Sequence, residues 1–137
     1  MAVLADNVKQ VFETCDAVYF ATADEKSQPN ACIVGLRKVV NDETVYVSDQ
    51  FFKKTLANLQ VNDKVAITFW SKDGAFQIHG TARYITEGDQ EWPAEEAWAT
   101  AFFEERGSAI RAKGGAFVHV DAVYDSAAGP NAGGQIA

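Results

Sequence analysis

Hydrophobic residues near the start of the chain recur every three or four positions. Leu4, Val8, Val11 and Cys15 would share one face of an amphipathic helix, which predicts a helix over residues 4–15. Beyond this segment, apolar and polar residues alternate instead, as they do in strands with one buried face. The pattern therefore predicts one leading helix followed by a mainly β structure.

Six segments show the β-type pattern, rich in valine, isoleucine, threonine and aromatic residues. The predicted strands cover residues 18–23, 30–40, 44–48, 64–70, 75–86 and 116–124. The segment 30–40 has the pattern of one long strand, with Val34 on one face and Val39 on the other. The pair Gly114-Gly115 is predicted to break the chain before the last strand.

Two further helices are predicted between the strands. Residues 53–59 form a short one, and Pro93 marks the start of another, since proline is favoured in the first turn of a helix. Six strands with three peripheral helices predict a mainly β fold, in which a six-stranded antiparallel sheet closes as a small barrel. Residues 1–125 would form this single domain, and residues 126–137 a tail of small residues.

Composition limits the partners that such a barrel would bind. The 137 residues carry 19 acidic and 12 basic side chains and a formal charge of −7. This balance argues against duplex nucleic acid and against an anionic membrane surface. Residues 87–105 hold seven acids and no base, so the rest of the chain has 12 of each. A small anion held by a few local bases is compatible with that distribution.

The sequence shows no motif for targeting, metal binding or disulfide formation. No apolar run approaches the ~20 residues of a membrane span, and the start has no signal-peptide pattern. Cys15 and Cys32 have no metal or redox spacing, and His79 and His119 have no third ligand at a workable spacing. We therefore expect a cytoplasmic protein with reduced thiols and no metal site.

The strongest local motif is the basic start of the second predicted helix. Lys53, Lys54 and Thr55 lie at a strand-to-helix junction, where helix amides, a hydroxyl and two ammonium groups would converge on a phosphate. The alternative is a solvated basic helix start, in which each lysine would oppose the helix dipole by about 0.3–1 kcal/mol. This unfavourable placement favours an anion at the helix start, although the residues alone leave both interpretations open.

Arg37 and Lys38 form a second basic pair, at the end of the long predicted strand. Neighbouring strand residues point to opposite faces, so only one of them can face a given pocket, and a solvated pair is the alternative. Gly35, inside the same strand, indicates either the close approach of a backbone or flat ligand, or a bulge.

Three segments, together with the order of the predicted elements, resemble the FMN-binding split β-barrel proteins, the pyridoxamine 5′-phosphate oxidase-like group. The segments are Leu36-Arg-Lys-Val39, Lys53-Lys-Thr-Leu-Ala-Asn58 and Phe76-Gln-Ile-His-Gly-Thr81. Residues 29–55 are similar, without gaps, to the corresponding part of small bacterial FMN-binding proteins. The resemblance as a whole covers about residues 8–125.

The resemblance implies a homodimer that binds FMN in a groove at the subunit interface. Lys54 and Thr55 would hold the phosphate, with Lys53 beside them. Arg37 or Lys38 would match the family's basic residue on the second strand. Residues 34–36 would edge the isoalloxazine ring, and residues 48–50 would lie near the ring or the ribityl chain. The complete set of implied cofactor-binding residues is Val34, Gly35, Leu36, Arg37, Lys38, Ser48, Asp49, Gln50, Lys53, Lys54, Thr55 and Gln77.

The implied function is flavin-dependent redox chemistry, as a reductase, an oxidase or an electron carrier. Family enzymes that oxidise pyridoxamine phosphate carry a C-terminal segment rich in Trp and Arg. Residues 126–137 contain neither, so that reaction is not expected. The alternatives are a non-catalytic ligand-binding or sensing barrel, and a relative that binds F420 or haem. No side chain stands out as a catalytic acid or base.

Overall fold

The structure is a computed structural model that describes residues 2–137. Over these residues the chain forms three helices and seven strands, numbered in chain order. They are α1 (Asp6–Thr14), β1 (Val18–Ala23), β2 (Pro29–Val34), β3 (Arg37–Asn41), β4 (Thr44–Asp49), α2 (Lys54–Val61), β5 (Lys64–Ser71), β6 (Gly74–Thr86), α3 (Trp92–Glu105) and β7 (Gly114–Asp125). None of the three described helices has the length and apolar character that crossing a bilayer would take.

All seven strands belong to one antiparallel sheet, in the order β2-β1-β5-β6-β7-β4-β3. Strands β2 and β3 follow each other in the sequence but lie at opposite edges of the sheet. The sheet must curl to bring these edges together, which produces a half-barrel with a split between them. The mainly β split-barrel fold is thus confirmed, with seven strands in place of the predicted six.

The prediction of one long strand over residues 30–40 is wrong, because the chain changes pairing partners in the middle of this segment. Strand β2 pairs with β1, whereas β3 pairs with β4. Gly35 and Leu36 carry the chain from one edge of the sheet to the other. The alternation of faces restarts after this break, so Val34 and Val39 both pack against the core instead of pointing to opposite faces.

The main core lies between the concave face of the sheet and α1. Val8, Val11 and Phe12 on α1 are buried, which confirms the amphipathic leading helix. The Phe12 ring meets the Phe69 ring of β5 edge-on, with centroids 5.1 Å apart. Burying each such side chain stabilises the fold by about 1.5–3 kcal/mol. A second, smaller cluster joins α3 to the outside of the sheet through the buried Trp92.

The pair Gly114-Gly115 does not break the chain but begins β7, where it pairs with the end of β4. Both glycines are buried because tyrosine hydroxyls occupy the space in which their Cβ atoms would stand. Tyr84 fills that space beside Gly114, and Tyr46 fills it beside Gly115. Close packing of two phenol rings, and not a turn, therefore requires glycine at both positions.

The two tyrosines at this junction are held in their protonated form. Tyr84 donates a 2.5 Å hydrogen bond to the buried carboxylate of Asp49. Burial, followed by this hydrogen bond and the charge of Asp49, raises the pKa of Tyr84 above its usual value of 10. Burial and the charges of Glu95 and Asp49 raise the pKa of Tyr46 in the same direction.

The residues after β7 fold back onto that strand. The amide of Ile136 donates to the carbonyl of Val123 at 2.8 Å, and the amide of Val123 donates to Ala137 at 3.1 Å. Strand β4 pairs only with residues 114–119 of β7. The small-residue segment thus covers backbone groups that β4 leaves free.

We expect Gly115→Ala to lower the free energy of unfolding by about 1–3 kcal/mol, the usual range for overpacking a core. The added methyl group would displace the Tyr46 hydroxyl, and urea denaturation measures the loss. Gly35→Ala is the matched control, because a Cβ atom there meets no atom within 4 Å. Equal losses in the two variants would contradict the packing argument.

We expect the free energy of unfolding to fall as the pH rises above 10, the usual tyrosine pKa. Above that pH the unfolded chain releases protons that folded Tyr84 and Tyr46 retain, so alkali favours the unfolded state. Below pH 10 this contribution to stability is present in full. Urea denaturation on both sides of pH 10 should show a shallower decline for Tyr84→Phe than for Tyr19→Phe, whose ring is exposed. Identical slopes would show that Tyr84 does not contribute.

Candidate functional site

A cleft of about 320 Å³ lies in the split of the barrel, between the free edge of β2 and the turn that leads from β4 into α2. Residues 30–35 form one wall, and residues 50–55 with Ser48 form the other. Seven of the twelve residues implied by the resemblance line this cleft, namely Val34, Gly35, Ser48, Gln50, Lys53, Lys54 and Thr55.

The basic end of the cleft is the first turn of α2. Lys53 occupies the position before the helix and gives it no side-chain cap, so the first amides of the helix have no acceptor within it. Lys53 and Lys54 are exposed, and neither forms an ion pair within residues 2–137. Free amides, the helix dipole and two ammonium groups make this end of the cleft electropositive.

Thr55 lies beneath this turn and ties it to the sheet. Its hydroxyl donates to the Cys32 Sγ atom at 3.3 Å and accepts from the Asn30 amide at 3.1 Å. One turn later, the Asn58 amide donates to the buried Thr22 hydroxyl at 3.0 Å. These bonds hold the start of α2 against β2 and β1. The Thr55 hydroxyl is thus already engaged within the protein, at 3% exposure of the residue.

The chemistry available from side chains within the cleft is limited. Burial raises the pKa of the Cys32 thiol, although the hydrogen bond from Thr55 acts in the other direction. A protonated thiol is a weak nucleophile at neutral pH. The lining residues include no histidine and no carboxylate. Residues 2–137 also contain no group of three His, Cys, Asp or Glu side chains that could hold a metal ion.

The turn between β4 and α2 is held from below by Asp49, which is fully buried and does not line the cleft. One carboxylate oxygen accepts the Phe52 amide at 2.8 Å. The other accepts the Tyr84 hydroxyl and the Lys113 ammonium group, the latter at 2.9 Å. Sequence reasoning missed Tyr84 and Lys113, because they lie 35 and 64 residues away from Asp49 and no local spacing connects them.

The basic pair on β3 lies outside this cleft, and both side chains already have partners. Arg37 donates to the carbonyl oxygen of Phe12 at 2.9 Å, which ties the end of α1 to β3. Lys38 points to the other face, where its Nζ atom is 2.7 Å from Glu95 and 4.2 Å from the centre of the Trp98 ring. In this arrangement Arg37 ties α1 to β3 and Lys38 ties α3 to β3.

The two remaining predicted residues, Gln77 and Leu36, do not line this cleft. Gln77 is on the outer face of β6, with its Oε1 atom 2.9 Å from the Nε2 atom of His79. Leu36 is buried at the strand break and lines a second cleft of about 450 Å³ against the end of α3. Gly35 and Gln50 line both clefts, so the two lie next to each other.

The chain is similar to several known proteins. An uncharacterised protein of Methanocaldococcus jannaschii is 34% identical over 125 residues, which cover 89% of this chain and 80% of that protein. Among solved structures, HupZ of Group A Streptococcus superposes with a TM-score of 0.76 at 24% identity, over 95% of this chain and 99% of that one. An FMN-binding protein from Syntrophomonas wolfei gives a TM-score of 0.73 at 9% identity, over 89% and 85% of the two chains.

The same fold occurs in proteins named for other cofactors. An F420 reductase has a TM-score of 0.63 at 11% identity, covering 84% of this chain and 94% of that one. HutZ, the heme storage protein from Vibrio cholerae, has a TM-score of 0.65 at 19% identity, covering 91% and 95%. At these identities the likeness shows the fold alone. The sequence profile of one family, described as pyridoxamine 5′-phosphate oxidase, matches residues 4–124, so the chain belongs to the pyridoxamine 5′-phosphate oxidase family.

Proposed function

We propose that the protein is an FMN-binding flavoprotein with a redox function, as a reductase, an oxidase or an electron carrier. The observation that carries this proposal is the uncapped N-terminus of α2, which opens into the cleft. Beside it lie Lys53 and Lys54, which have no ion-pair partner among residues 2–137. A phosphate dianion would accept hydrogen bonds from the free amides. Its negative charge would also offset the repulsion between the two lysines and the positive end of the helix dipole.

The donors and walls of the cleft fit such a cofactor. Lys53, Lys54 and the first amides of α2 would hold the phosphate, while the buried Thr55 hydroxyl keeps that turn on the sheet. The free edge of β2 up to Gly35 offers backbone hydrogen-bonding groups to a flat ring. Nothing in this chain stands within 4 Å of a Cβ atom placed on Gly35, so the fold leaves room for a close approach from outside.

The few reactive side chains in the cleft support cofactor-based chemistry. Bound flavin supplies hydride or electron transfer, and the protein's part is to bind, orient and tune it. Ser48 and Gln50 are hydrogen-bonded to each other at the centre of the cleft, which places an adjustable donor and acceptor pair beside the bound group. We assign no catalytic acid or base among the residues that line the cleft.

The residues that line the cleft favour FMN over haem. A haem iron is commonly held by histidine. The lining residues contain no histidine, and the Cys32 Sγ atom already accepts a hydrogen bond from the Thr55 hydroxyl. Two unpaired cysteines suit a reducing compartment, so we place the protein in the cytoplasm.

We further propose that the protein is a homodimer whose second copy completes the groove. Ile33 and Tyr19 are cross-strand neighbours on the outer face of β2 and β1, and Trp70 lies on the same face of β5. These side chains are 69%, 43% and 64% exposed, and Phe51 beside the cleft is 74% exposed. Large apolar side chains exposed together are typical of an interaction surface, and a symmetric pair would bury this one.

We expect natively purified or FMN-reconstituted protein to show a flavin absorption spectrum and to release FMN, identified by mass.

The double variant Lys53→Ala/Lys54→Ala should weaken FMN binding by about tenfold to a hundredfold, since a hydrogen bond to a charged group contributes about 1.5–3 kcal/mol. Riboflavin, which lacks the phosphate, should be nearly unaffected. Fluorescence titration with both ligands measures the difference.

The matched control for this experiment is Lys26→Ala/Lys72→Ala, which removes the same charge from two exposed turns and should leave both affinities unchanged. Equal losses for FMN and riboflavin in the double variant would place the phosphate elsewhere. Protein that binds no FMN under either condition would end the proposal. Reduction of bound FMN by NADH or NADPH, followed by reoxidation by an acceptor, supports a reductase. Bound FMN without turnover favours the carrier or the sensing barrel.

We expect the flavin-bound protein to sediment as a dimer at micromolar concentration. Tyr19→Glu should shift it towards the monomer, because a carboxylate would be buried in the apolar interface. Val3→Glu is the control, since Val3 is 54% exposed. The amides of its neighbours Ala2 and Leu4 donate to Val120 and Asp42, at the opposite end of the sheet from β1 and β2. A flavin-bound wild-type monomer would contradict the dimer, and an unaffected Tyr19→Glu dimer would contradict this face as its interface.

A further inference from the structure

We propose that Asp49 and Lys113 act together as a positioning pair for the turn of residues 50–53. This turn carries Lys53 and leads into the N-terminus of α2, so the pair would set the geometry of the phosphate end of the cleft. The part of the inference that concerns phosphate rests on the proposed function. The part that concerns the turn itself does not.

The carboxylate of Asp49 is completely engaged although it touches no cleft surface. Its Oδ1 atom accepts the Phe52 amide at 2.8 Å. Its Oδ2 atom accepts the Tyr84 hydroxyl at 2.5 Å and the Lys113 ammonium group at 2.9 Å. Burying a charge costs several kcal/mol unless it is paired and hydrogen-bonded in this way. The Asp49 side chain therefore joins three parts of the chain, namely β6, the residue before β7 and the turn.

Lys113 reaches the same turn from the other side. Its Nζ atom donates to the carbonyl oxygen of Phe52 at 2.9 Å as well as to Asp49. Its backbone amide donates to the carbonyl oxygen of Asp49 at 2.9 Å. Both backbone polar groups of Phe52 are thus held, the amide by the carboxylate and the carbonyl by the ammonium group. This double attachment orients the peptide immediately before Lys53.

The two side chains of this ion pair differ in their exposure to solvent. The Asp49 side chain is 0% exposed, whereas that of Lys113 is 44% exposed. Removing the lysine side chain leaves Asp49 with its bonds to Tyr84 and to the Phe52 amide. Because Asp49 keeps these two hydrogen bonds but loses its cation, we expect Lys113→Met to fold with reduced stability. The Phe52 carbonyl would be released and the turn free to move.

We expect Lys113→Met to weaken FMN binding by about tenfold, because the displaced turn would lose about one hydrogen bond to the charged phosphate. Riboflavin, which lacks the phosphate, should change in affinity by less than about twofold. Lys113→Arg, which keeps the charge and the donors, should restore most of the loss. Lys72→Met is the control for the loss of one surface charge. Hydrogen exchange of the ligand-free protein should be about tenfold faster at the Phe52 amide in Lys113→Met than in the wild type.

Salt separates positioning from simple attraction between Lys113 and the phosphate. A long-range charge effect is screened at high ionic strength, whereas a displaced turn weakens FMN binding at any salt concentration. Loss of the FMN effect in high salt would overturn the inference, as would unchanged exchange at Phe52. If the wild type binds neither ligand, the proposed function fails and the exchange measurement alone decides whether the pair holds the turn.

Discussion

The organisation of this protein depends on one constraint, namely that a strand can pair with only two neighbours. The two halves of residues 30–40 pair at opposite edges of the sheet, β2 with β1 and β3 with β4. The chain crosses between these edges at Gly35 and Leu36, which keeps the barrel open at that point. The unpaired edge of β2 and the turn before α2 then face each other across the split. The position of the cleft follows directly from this break.

The distribution of charge depends on the same arrangement. Lys9, Lys38 and Lys113 each have a carboxylate partner, while Lys53 and Lys54 at the mouth of the split have none within residues 2–137. The acid-rich segment of residues 87–105 contains the whole of α3, which packs on the outside of the sheet. An acidic protein thus keeps a local positive potential where an anion would enter.

The junction of β4 and β7 connects the core to the cleft. Two glycines make room for two phenol rings, and one of these rings donates to Asp49, which holds the turn above it. Packing inside the sheet therefore controls the backbone at the mouth of the cleft. A substitution at Gly114 or Tyr84 would act on the cleft without touching anything bound in it.

Much of the fold and part of the site could be predicted from local patterns. The leading helix follows from apolar spacing, most of the strands from alternation, and the basic start of α2 from the residues 53–55. The roles of Arg37 and Lys38 could not be predicted in this way. A strand pattern shows that two neighbouring residues face opposite sides of the sheet, but it does not show what lies on each side. Here α1 and α3 cover those sides and provide the partners.

The sequence by itself determined the mainly β fold class, the amphipathic helix and the basic motif at the start of α2. Each of these depends on residues close together in the chain. Only the tertiary structure decided where the long strand breaks, why Gly114 and Gly115 must be glycine, and which side chains meet Asp49. Those outcomes depend on contacts between residues up to 64 positions apart. Such contacts leave no local periodicity, because they arise only when the sheet curls.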